Sequence, residues 1–116
     1  MIFIKVKNQF EWFHKWVDAP DTEKFLRNTH RHIFYVETKI QVEGDDRELE
    51  YFAVKKMITV LIDQFIVGSE ETESCEMIAE YIVDRLEIKY PNSRIEVSVL
   101  EDNENGSEIN NYERFN

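Results

Sequence analysis

Cysteine is almost missing from this 116-residue chain, where Cys75 stands alone. It can close no intramolecular disulfide, which fits a reducing compartment, and a cysteine-rich metal site is excluded. Positive charge is the next deficit. Against 24 acidic residues stand 14 Lys and Arg, a formal net charge of −10. A partner held through its phosphates needs clustered cations, so no nucleic-acid partner is expected. No apolar run reaches the length of a membrane span, and the N-terminus lacks the charged, apolar and small-residue segments of a signal peptide. A cytoplasmic protein with no membrane association is the expectation. Histidine is scarce as well: with three in the chain, any site built on imidazole must draw on His14, His30 and His32. Internal repeats and low-complexity tracts are also missing.

What is present suits a single domain over residues 1–116. The hydrophobic content is 42% and the charged content 33%, an ordinary folded composition. Residues 2 to 16 read as a strand, because Ile2, Ile4 and Val6 share a parity that Phe10, Trp12, His14 and Trp16 continue. Asp18, Pro20, Asp21 and Thr22 then mark a loop reaching to Thr29. A second strand runs to Val42 and ends in the turn chemistry of Glu43-Gly44-Asp45-Asp46.

Leu49, Phe52, Ala53, Met57, Val60, Leu61 and Phe65 recur at three- and four-residue spacing, which predicts a helix of roughly 48 to 66, stopped by Gly68. Its apolar arc is wide, so it packs against both a sheet and a second helix or contributes to a subunit contact. Ser74 is placed to cap a second helix carrying Cys75, Ile78, Ala79, Ile82, Val83 and Leu86, ending near Tyr90-Pro91. Ile95, Val97 and Val99 predict a third strand, and Asp102 to Ser107, containing Asn105-Gly106, a turn leading to a fourth from about Ile109 to Phe115. The order β-β-α-α-β-β implies an α+β fold: a four-stranded antiparallel sheet with both helices on one face.

Two details carry chemistry. His30 and His32 project from one face of the second strand, at the polar end of the stripe Phe34, Val36, Ile40 and Val42. Two imidazoles so placed suit a zinc ion, which would need a third protein ligand; His14 lies on a similar aromatic-lined face. Glu101 falls on the apolar parity of the third strand, where a carboxylate needs a reason.

Phe10-Glu11-Trp12-Phe13-His14, His30-Arg31-His32, Leu49-Glu50-Tyr51-Phe52-Ala53-Val54-Lys55 and Glu73-Ser74-Cys75-Glu76-Met77-Ile78-Ala79 stand in the order and spacing of four motifs of one family. The chain resembles, over nearly its whole length, the 6-pyruvoyl-tetrahydropterin synthase and 6-carboxytetrahydropterin synthase family of the tunnelling (T-) fold. The resemblance implies a catalytic Zn2+ on His14, His30 and His32, and a ring-anchoring role for Glu101 toward a pterin or purine-like small molecule. It also implies a homo-oligomer built from trimers, with pockets between subunits.

The implied activity is that of a zinc-dependent lyase of pterin or deazapurine biosynthesis, such as the queuosine pathway, acting on or binding a dihydroneopterin-triphosphate-like substrate. Two departures bear on it. The reactive cysteine expected four residues before the first histidine of the pair is Leu26, and the Asp-His pair near the end of the first helix is Asp63-Gln64. Neither Leu26 nor Gln64 moves a proton near neutral pH. Asp63, Glu23 on the preceding loop, or metal-bound water would have to replace them. The alternative is a catalytically degenerate module that keeps the pocket for a pterin, purine or nucleotide and serves to sequester or regulate. Cys75 reads as a small apolar residue of the helix stripe rather than a nucleophile.

Overall fold

Alternating side chains write four strands with one buried face. In the computed structural model, which describes residues 1–115, the elements are β1 (Ile2–His14), β2 (His30–Val42), α1 (Tyr51–Val67), α2 (Cys75–Lys89), β3 (Ile95–Glu101) and β4 (Asn105–Asn110). The strands form one antiparallel sheet in the order β1-β2-β3-β4. The succession β-β-α-α-β-β is thus the one the hydrophobic pattern predicts. No helix among the described residues is long and apolar enough to cross a membrane.

Parity decides the layers. Ile4, Val6 and Trp12 of β1, Phe34, Val36, Ile40 and Val42 of β2, and Ile95, Val97 and Val99 of β3 all face the helices. Val54, Ile58 and Ile62 of α1 and Ile78, Ala79, Ile82, Val83 and Leu86 of α2 complete the same cluster. Burying each large aliphatic side chain contributes about 1.5–3 kcal/mol, which makes this face the main source of stability. Asn8 pins α1 to β1 from within: its Nδ2 donates to Lys55 O and Thr59 Oγ1, both at 3.0 Å.

Element ends differ from expectation where hydrogen bonds leave the ladder. β1 stops at His14 rather than Trp16, because the Lys15 N–H turns to Glu71 O and the Trp16 N–H to Leu26 O, each at 2.8 Å. The expected loop after it contains a 3-10 turn at Asp21–Arg27. α1 starts at Tyr51, where the Glu50 carboxylate accepts the N–H groups of Phe52 and Ala53. Gly68 does end α1, yet with φ −89, so the left-handed freedom of glycine is not what stops the helix. Ser74 caps α2 as expected, accepting the Met77 N–H at 3.2 Å.

The last hairpin turns within the first half of the expected segment. Asp102 and Asn103 take φ 53 and 58, and the Glu104 N–H closes on Glu101 O at 2.9 Å. Both central residues have positive φ, a conformation that Asp and Asn tolerate. Asn105-Gly106 lies in β4 instead. A Cβ on Gly106 would stand 1.8 Å from Val99 O, so glycine is needed here for the close approach of two strands. β4 ends at Asn110, and the residues expected to extend it form a 3-10 turn at Tyr112–Phe115.

Candidate metal centre

Antiparallel register brings the three histidines to one end of the sheet. His14, the last residue of β1, faces His30, the first of β2, and Trp12 faces His32. Glu101, the last residue of β3, lies opposite Phe34, two positions beyond His32. All four side chains point to the helix-covered face. Phe34 is fully buried and floors the group, with its ring centroid 5.3 Å from that of His14 and 5.8 Å from that of His32. One nitrogen or oxygen from each of His14, His30, His32 and Glu101 lies within 4.8 Å of the others.

The other nitrogen of each ring is taken. His14 Nδ1 donates to Glu73 O at 2.9 Å, His30 Nδ1 to Asn28 O at 2.8 Å, and His32 Nδ1 to Asp102 Oδ2 at 2.7 Å. Carbonyls and carboxylates only accept, so each Nδ1 carries a proton, which leaves Nε2 as the ring nitrogen with a lone pair to offer a metal. Two of those nitrogens face Glu101: its Oε2 lies 2.9 Å from His14 Nε2 and 3.2 Å from His32 Nε2. Lone pairs so close repel unless a proton or a metal cation stands among them. Histidines whose outer N–H is held by a carbonyl or carboxylate are oriented as metal ligands are. The donor set therefore fits a divalent ion with affinity for imidazole.

A cleft of about 520 Å³ opens beside the group. Trp16, Leu26 and Met77 supply apolar lining; Glu73, Glu76 and Ser107 supply polar lining, and Lys15 is the cation among the lining residues. The Ser107 hydroxyl donates to Glu76 and holds its carboxyl below the usual glutamate range. Burial opposes the ionisation of Glu73, but N–H groups of Thr72, Glu73 and Glu70 and the Ser69 hydroxyl outweigh it and leave this carboxyl low as well. The His32 hydrogen bond, followed by that from Ile33 N–H, does the same for Asp102. Cys75 lines the cleft, yet burial, with the charges of Glu101 and Glu76, pushes its thiol up to about 12. A thiol so placed is a poor nucleophile, in line with its reading as an apolar helix residue.

Of the residues singled out in the sequence, the fold joins His14, His30, His32 and Glu101. It does not bring Asp63 or Glu23 to them. Asp63 is exposed on α1, Glu23 is half-buried in the 3-10 turn with the Thr22 hydroxyl on its carboxylate, and neither lines the cleft. Leu26 does line it, beside His30. Asp102 is the residue that sequence reasoning passed over. It reads as a turn residue, and its contact with His32 depends on β3 lying next to β2. The carbonyls of Asn28 and Glu73 leave no trace in the sequence, because any residue type supplies one. No family model matches the chain, and no curated protein matches it either.

Proposed function

We propose that this chain is a zinc-binding protein of the tunnelling-fold pterin and deazapurine type, resembling 6-carboxytetrahydropterin synthase and acting on or binding a dihydroneopterin-triphosphate-like substrate. The observation that carries the reading is the convergence of three Nε2 lone pairs whose Nδ1 partners are fixed. His14, His30 and His32 would hold the ion. When bound, zinc polarises a substrate oxygen and makes the adjoining C–H more acidic. Glu101 stands beside the cleft as an acceptor for paired N–H donors of a ring, and the volume of about 520 Å³ falls within the range of small-molecule pockets.

Purified protein should retain close to one zinc per chain, and His30→Ala should lose it. Zinc-loaded protein incubated with dihydroneopterin triphosphate should consume it, with the variant inactive. A protein that takes up no zinc at micromolar concentration would sink the reading.

A second reading, a binding module without turnover, is favoured by the walls of the cleft. Leu26 offers no proton transfer, and Asp63 and Glu23 lie outside the cleft. Glu73, Glu76 and Glu101 face it with Lys15 as the cation, which disfavours a triphosphate and suits an uncharged ring carrying N–H donors. Tight binding of neopterin with no consumption of the triphosphate would select this reading over the first.

A further inference from the structure

The structure holds four converging donors, whereas a zinc ion that works on a substrate keeps three protein ligands and one open position. We infer that Glu101 is the fourth ligand in the resting protein, so that the centre is closed and any small molecule reaching the metal must displace this carboxylate. The inference rests on the metal-binding reading above and adds to it a state of coordination.

Three observations support it. Glu101 Oε2 is 2.9 Å from His14 Nε2 and 3.2 Å from His32 Nε2. The ligand atoms of a tetrahedral zinc, at about 2.0–2.1 Å from the ion, stand roughly 3.3–3.4 Å from one another. The carboxylate is therefore within about 0.5 Å of ligand spacing from two of the three nitrogens. Next, Glu101 has no competing cation: its ion-pair partners among the described residues are His14 and His32. Finally, the residue is fixed from both sides. Its Cα pairs with Phe34 across β2–β3 and with Asn105 across β3–β4, and the next residue, Asp102, is bonded to β2. The side chain itself is 29% exposed and borders the cleft, which gives it somewhere to swing when displaced.

A closed His3Glu centre also separates two uses of the acid. While one of its oxygens binds the metal it cannot take paired N–H donors of a ring on both, so paired ring binding and opening of the centre become one event.

The test uses cobalt(II) in place of zinc, because four-coordinate cobalt absorbs visible light much more strongly than five- or six-coordinate cobalt. The wild-type protein should show the strong four-coordinate spectrum and change little on titration with azide. Glu101→Gln should keep cobalt with at least tenfold weaker affinity, and should respond to azide at concentrations at least tenfold lower than the wild type does. Identical spectra, affinities and azide responses in the two proteins would overturn the inference, as would a wild-type centre that takes azide readily. The wild-type azide titration decides the matter alone if the variant does not fold. Failure of the wild type to bind cobalt or zinc would be a different result, overturning the metal reading itself.

Discussion

Asp102 joins two strands and a ligand through one residue. Its Oδ1 accepts the Ile33 N–H at 3.0 Å, its Oδ2 accepts His32 Nδ1 at 2.7 Å, and its own N–H donates to Ile33 O at 2.7 Å. The turn that carries Glu101 is thereby docked on the strand that carries His30 and His32. His14 and His30 rest on carbonyls instead, so His32 is the ring with an anionic partner, the arrangement that fixes ring orientation in metal sites. Asp102→Asn keeps the shape and removes the charge. Zinc affinity, read by competition with a chromophoric chelator, should fall about 10–100-fold, the usual cost of an outer-shell partner. Unchanged affinity would mean that the contact only shapes the turn. Asp102 could not be weighted from sequence: an acid after a strand reads as turn chemistry until the sheet order places it beside β2. The candidate ligands were more legible, because strand parity alone puts His30 and His32 on one face.

Parity also made the elements legible, since period two separates β1, β2 and β3 from the three- and four-residue recurrence of α1 and α2. Their ends were less so, because hydrogen bonds from Lys15 and Trp16 to distant carbonyls stop β1, and nothing local announces them. The width of the apolar arc on α1 is resolved in part: Val54, Ile58 and Ile62 are buried between sheet and α2, while Phe52 is 79% and Val60 47% exposed. On the uncovered face of the sheet, Glu96 of β3 and Glu108 of β4 lie diagonally across the strand pair. Each is the largest influence on the other, raising the Glu108 carboxyl and lowering that of Glu96. The ordinary glutamate value is about 4.3. A carboxyl raised on folding favours the folded state at pH below that value, and the benefit is lost as pH climbs through the raised one. Glu108→Gln removes this dependence. Its melting temperature relative to wild type should therefore be higher at pH 7 than at pH 4; a difference independent of pH would show that the two carboxylates do not share a proton.

At the scale of the molecule, the helices cover one sheet face and leave the other, along with the outer edges of β1 and β4, open. The open face carries Lys5, Lys7, Glu37, Lys39 and Glu96 in ion pairs at 3.6–3.8 Å, and exposed pairs of this kind contribute about 0–1 kcal/mol each. Such a charged lattice keeps the face in water without folding it onto anything. The edges behave differently, because an unpaired strand edge recruits another strand unless it is blocked. β1 spans 13 residues and β4 spans six, so one chain's β4 can pair with the β1 of the next and continue the sheet head to tail, a contact that closes into a ring when the rotation allows. Large apolar side chains are also exposed near the cleft, including Trp16, Phe25 and Met77, and these would be covered by a neighbour. The resemblance to the tunnelling-fold family implies a ring whose mass is a multiple of three chains of 14.0 kDa each, and edge pairing of this kind is one way to build it. Sedimentation velocity measures it directly, and substituting proline at Phe3 or Lys5 of β1 should shift the protein toward smaller species by removing an edge donor. A monomer at the concentrations used for metal binding, with the full zinc affinity, would rule out a centre that depends on its neighbour.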